Sequence, residues 1–153
     1  YLIKKNGGNV CEKRVLNVTA SSTNTNLFAT NVADIHNNNV YFLSNCLENS
    51  WLKYDFINIK VNPTGYSITT RPSNDNHLRN WVIEGSNNDN DWEVLDKRQN
   101  DQSLTGIKET YTFDIKKQDK SYRFLRIRQT GYNSSNSNFL SFTSLEFFGS
   151  ISE

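Results

Sequence analysis

The chain has 153 residues, enough for one domain with a sizeable core. Its 17 Lys and Arg stand against 16 Asp and Glu, a net charge of +1, so no long-range field draws it to nucleic acid or to an anionic membrane. No apolar run approaches the roughly 18 residues of a membrane span, and no secretory leader pattern opens the sequence, so a soluble piece is expected.

Taken in order, Val15 to Ala20 reads as a first strand, and Leu27, Val32 and Ile35 as one short helical turn stopped by Asn37 to Asn39. Val40 to Leu43 is apolar enough for a short strand. From Trp51 the pattern sharpens: Leu52, Tyr54 and Phe56 alternate with Lys53 and Asp55, so one face packs inward and the other meets solvent. Asn62, Pro63 and Gly65 read as the connection to the next strand, which carries Tyr66, Ile68 and Thr70.

Trp81 to Arg98 (WVIEGSNNDNDWEVLDKR) reads as a hairpin, two strands broken at Asn87 to Asp91 by short side chains that bond to their own backbone. Tyr111, Phe113 and Ile115 form another strand, and Leu125 and Ile127 face away from Phe124, Arg126 and Arg128. In the last strand Leu140 and Phe142 share one parity and Leu145 and Phe147 the other, which predicts an irregularity near Thr143 and Ser144 that returns both pairs to the core. No helical run of ten residues is present. The expected architecture is therefore all-β, two packed antiparallel sheets with Trp51, Trp81 and Trp92 as core residues.

These strands also carry a resemblance. The E-G-S-N turn between Trp81 and W-x-x-L-D, together with WLKYDF at Trp51 to Phe56, YSIT at Tyr66 to Thr69, YRFLRIRQTG at Tyr122 to Gly131 and LSFTSLEFFG at Leu140 to Gly149, resembles the discoidin-like (coagulation factor 5/8 C-terminal) domain of the galactose-binding-like superfamily. It is most similar to the version found beside BTB domains. The resemblance implies an antiparallel jelly-roll sandwich of about eight strands that binds with loops at one end and performs no catalysis. It covers 1–153 as a single domain, expected to be part of a longer multidomain chain.

If each strand crosses the sandwich, the loops sort into two ends. Asn62 to Gly65, Asn87 to Asp91 and Lys116 to Ser121 fall at one. Asn45 to Ser50, Arg71 to Asn80, Gln99 to Ile107 and Gly131 to Asn138 fall at the other, and they are longer and more irregular, which is where binding residues concentrate. There Arg71 and Arg79 offer forked donors, His77 can donate or accept, and Asn74, Asn76 and Asn80 do both. Tyr132, Asn133 and Asn138 add a ring and amides. The candidate ligand residues are thus Arg71, Asn76, His77, Arg79, Tyr132 and Asn133, against the plainer reading of His77 and Arg79 as ordinary loop residues.

Some family members hold a structural calcium, for which Asp34 and Glu146 are the carboxylates in similar places, although calcium needs six to eight oxygens. No other cofactor is implied. Enzyme signatures such as a nucleophile elbow, a P-loop or HExxH are missing. Arg123, Arg126 and Arg128 split between two faces and read as a solvated sheet surface. Of two cysteines, Cys11 and Cys46, neither lies in the C-terminal half, unlike the end-to-end disulfide of secreted relatives, which favours a cytoplasmic home. Asn17-Val18-Thr19 and Asn133-Ser134-Ser135 match the glycosylation sequon, a short pattern frequent by chance with 23 Asn. The expected function is a monomeric, non-catalytic module docking a protein or peptide, with a lectin-like galactose-type module as the alternative.

Overall fold

The computed structural model describes residues 16–33 and 39–152. Among these residues ten strands run antiparallel: β1 (Asn17–Ala20), β2 (Phe42–Leu43), β3 (Trp51–Asp55), β4 (Lys60–Thr69), β5 (Trp81–Ser86), β6 (Glu93–Arg98), β7 (Thr110–Asp114), β8 (Phe124–Gln129), β9 (Ser141–Phe142) and β10 (Ser144–Ser152). Eight of them are four residues or longer, as the alternation predicts. One sheet has the order β1-β3-β8-β5-β6, the facing sheet β10-β4-β7, and β2 and β9 form a small third pair. A five-residue 3-10 turn, Ala29–Ala33, stands where a short helical turn was expected.

The core is the sum of the inward parities. Leu52, Tyr54, Ile83, Leu125 and Ile127 from the large sheet meet Tyr66, Ile68, Phe113 and Leu145 from the small one. Trp81 lies completely buried at the centre, its indole donating to the Tyr66 hydroxyl at 2.9 Å, which in turn donates to Asp96 at 2.6 Å. The indole N–H is thereby satisfied away from water, as a buried donor requires. Trp51 and Trp92 are not core residues. Trp51 shares the parity of Lys53, whose ammonium lies 5.3 Å from its ring, and the Trp92 ring is covered by the Arg126 guanidinium at 3.9 Å. Both rings lie half-buried on the outer face, where cations shield them.

Two irregularities shape the sheets. Asn62, Pro63 and Gly65 lie within β4 rather than in a turn, and Pro63 faces Gly149 where the register shifts between Phe148 and Gly149. Proline is tolerated there because a bulge already interrupts the ladder. The connection before β4 is residues 56–59, tightened by Ile57 (φ 59°), whose amide donates to Asp55. At the other site the chain leaves the β2 pairing after Phe142 and joins β4 at Ser144. Thr143 fills the step, its amide donating to the Thr69 carbonyl and its hydroxyl to that of Thr70. Leu140, Phe142 and Leu145 are all buried as a result, and Phe147 partly so.

Candidate functional site

Backbone groups beyond the strand ends must find partners, and at one end of the sandwich they find them in each other. Gln129 donates to Ser50 O at 2.9 Å, Thr130 to Asn80 O at 3.0 Å, Ser44 to Leu140 O at 2.9 Å and Asp101 to Arg79 O at 2.8 Å. The four loops assigned to this end by strand counting, Asn45 to Ser50, Arg71 to Asn80, Gln99 to Ile107 and Gly131 to Asn138, therefore form one interlocked layer together with the residues that flank them. The hairpin turn and residues 115–123 meet at the opposite end, where Asn87 donates to Ser121 O.

Within the layer, most of the candidate side chains are tied to neighbouring loop groups. Asn133 is 3% exposed; its amide donates to Asn76 Oδ1 and Phe139 O at 3.0 Å, and its carbonyl accepts from the Ser135 and Ser137 amides. Asn76 takes a left-handed turn (φ 51°) and its amide donates to the Ser135 hydroxyl. His77 is 6% exposed, with Nε2 3.0 Å from Asn74 Oδ1. Burial holds its pKa below the ordinary value, the Arg71 and Arg79 charges act in the same direction, and Asp75 opposes them. Arg71 lies over the Tyr41 ring, 5.2 Å from its centre, with Asp75 3.6 Å away. The Nε atoms of Arg71 and Arg79 and Nδ1 of His77 are buried without a hydrogen-bond partner. Tyr132 differs from all of these, being 59% exposed.

Tyr132 stands at a cavity of about 260 Å³, lined also by Glu48, Asn49, Thr130, Gly131 and Asn138. Each wall is held. Asn49 is in a left-handed conformation (φ 56°), and its side-chain oxygen accepts from Arg128 Nη1 at 3.1 Å. Arg128 is itself anchored by Nε to Glu84 at 2.8 Å, and Arg126 reaches the same carboxylate at 3.1 Å. Burial alone would raise the Glu84 pKa, but the hydrogen bond from Arg128 and the two guanidinium charges outweigh it and hold the carboxyl below its usual range. On the other wall Asn80 fixes the Tyr132 backbone by donating to its carbonyl at 3.0 Å. This needs a close approach at Gly131, where a Cβ would stand 3.1 Å from the Asn80 side chain.

Of the residues singled out in the sequence, Tyr132 and Asn138 line the cavity, while Arg71, Asn76, His77, Arg79 and Asn133 do not. Glu48, Asn49, Thr130 and Gly131 were not singled out. The signal that could have found them is the placement of 45–50 and 131–138 at the same end. Of the calcium pair, Asp34 lies outside the described residues, as does Cys11, and Glu146 is an exposed position of β10 opposite Ser67. Among the described residues no group of three or more His, Cys, Asp or Glu comes together. Cys46 is a free, exposed thiol.

No protein-family model matches the chain. Among solved structures, a family 32 module (CBM32-3) from a family 31 glycoside hydrolase of Clostridium perfringens superposes with a TM-score of 0.73 at 14% identity, covering 90% of this chain and 92% of that one. CpGH89CBM32-5 from the same organism, solved with GalNAc-beta-1,3-galactose, gives a TM-score of 0.69 at 12% identity over 90% and 97%. The chain has the galactose-binding-like fold. Curated relatives by sequence are the E3 ubiquitin-protein ligase Ufd4 of Drosophila melanogaster, 32% identical over 107 residues and 67% of this chain, and E3 ubiquitin-protein ligase hecd-1 of Caenorhabditis elegans, 35% identical over 94 residues and 60% of this chain. The matched segment is 4% of each of those proteins. Within the described residues of this galactose-binding-like β-sandwich, no helix is long and apolar enough to cross a membrane.

Proposed function

We propose that the chain is a non-catalytic module that takes a sugar ring into the cavity beside Tyr132. The observation that carries this is the exposed Tyr132 ring on a cavity whose other polar walls are Glu48, Asn49, Thr130 and Asn138. A pyranose needs an apolar platform for its C–H face and both donors and acceptors for its hydroxyls, and a ring among amides, a hydroxyl and a carboxylate supplies them. The volume, about 260 Å³, falls just under the ~300 Å³ at which drug-sized sites begin, which suits one ring rather than a long glycan. The solved structures of this fold support the reading, one of them being a lectin domain complexed with Lewis B antigen. Here Asn76, His77 and Asn133 act as scaffold that holds the loops.

A glycan array of the purified chain, repeated with Tyr132→Ala, tests it. Specific binding that drops at least tenfold in the variant is expected, with thermal stability changed by no more than about 0.5 kcal/mol because the ring is exposed. Binding unaffected by Tyr132→Ala would move the site elsewhere, and a negative array would end the reading.

The second reading, docking of a protein or peptide by a cytoplasmic module akin to the BTB-associated version, is favoured by the sequence match to segments of ubiquitin-protein ligases. It predicts a peptide ligand for the same loop end and no sugar-dependent shift of the Tyr132 resonances.

A further inference from the structure

Among the described residues, Glu48 is the single charged one lining the Tyr132 cavity. A carboxylate and the negative face of an aromatic ring both attract a cation, and both repel an anion. Behind one wall Arg128 touches Asn49 and is turned onto Glu84 through Nε and Nη2. Arg126 lies two residues further along β8, away from the loops, and rests on Trp92. Arg71, on its own loop, lies beside Asp75. None of these guanidiniums lines the cavity.

We infer that the cavity selects a cationic sugar, with the Glu48 carboxylate facing the ammonium of an amino sugar whose apolar face rests on Tyr132. This rests on the glycan reading above and narrows it: neutral hexoses are accommodated less well and uronic acids are rejected. The selectivity is set by residues 48 and 132, which strand topology brings together from 84 positions apart. An ion pair of this exposure supports a modest preference, about threefold to fivefold.

Calorimetric titration of the chain with glucosamine, glucose, glucuronic acid and Nα-acetyl-lysine methylamide separates the outcomes. Glucosamine is expected to bind at least about threefold tighter than glucose, and glucuronic acid weaker than both. Glu48→Gln should abolish the preference for glucosamine over glucose, and added salt should reduce it in the parent chain alone. Equal affinity for glucosamine and glucose, or a preference that survives Glu48→Gln, would sink the inference and leave the glycan reading standing. Binding of no sugar would sink both. Binding of the lysine amide in place of every sugar would likewise overturn both and assign the cavity to a peptide cation.

Discussion

At the scale of single residues, His77 shows how a chemically versatile side chain becomes scaffold. Its backbone amide donates to the Ser134 hydroxyl, its carbonyl accepts from the Ser134 amide, and its ring meets Asn74, so it binds two loops together. Burial and the Arg71 and Arg79 charges favour the neutral ring. A depressed histidine pKa means the unfolded chain binds the proton more readily, so the stabilisation is fully present above the ordinary value near 6.5 and is lost as pH falls through the folded value. The urea midpoint of the parent chain should therefore fall between about pH 7.5 and pH 5, and fall less steeply in His77→Gln. Identical slopes would show that His77 is not the titrating group. The sequence showed that His77 belonged to this end but not that it was buried, because burial depends on Ser134 and Asn133 arriving from 57 and 56 positions away. The same burial places Asn133 beyond reach of a glycosyl group, so its sequon is only a pattern.

At the scale of elements, the E-G-S-N turn has a physical basis in β5. A Cβ on Gly85 would stand 2.7 Å from the Tyr122 ring. That ring cannot easily move aside, being buried with its hydroxyl on Glu93 at 2.8 Å. Gly85→Ala should destabilise by about 1–3 kcal/mol through overpacking, and Tyr122→Leu in the same chain should relieve part of that cost in a double-mutant cycle. Additive costs would argue that the two do not touch. The hairpin that follows was legible for the same local reasons: Ser86 and Asn88 side chains accept the turn amides, and Asp89 takes the left-handed position (φ 60°). The assignment of Asn62 to Gly65 as a connection failed because a bulge lets β4 run through Pro63, and a bulge depends on the partner strand β10.

At the scale of the whole molecule, the outer face of the large sheet is mechanically linked to the cavity through Glu84, Arg128 and Asn49. Arg128→Met should destabilise by about 2 kcal/mol at neutral pH, since buried Glu84 keeps only Arg126, and should also weaken sugar binding by releasing Asn49. Because the Glu84 pKa is depressed, its contribution exists above the ordinary carboxylate range and disappears as pH falls through the folded value, so the penalty of Arg128→Met should shrink in acid. A penalty independent of pH would place the cost in lost packing instead.

The sequence by itself determined the all-β class, the parity of nearly every strand and the sorting of the loops into two ends, because alternation with period two is written locally and fixes which side chain faces inward. Tertiary structure alone decided that Trp92 lies outside under Arg126, that His77 and Asn133 are buried, and that Glu48 and Asn49 join Tyr132 and Asn138 around one cavity. Those outcomes depend on segments more than thirty residues apart meeting at set distances, and no local period encodes a distance across the sandwich.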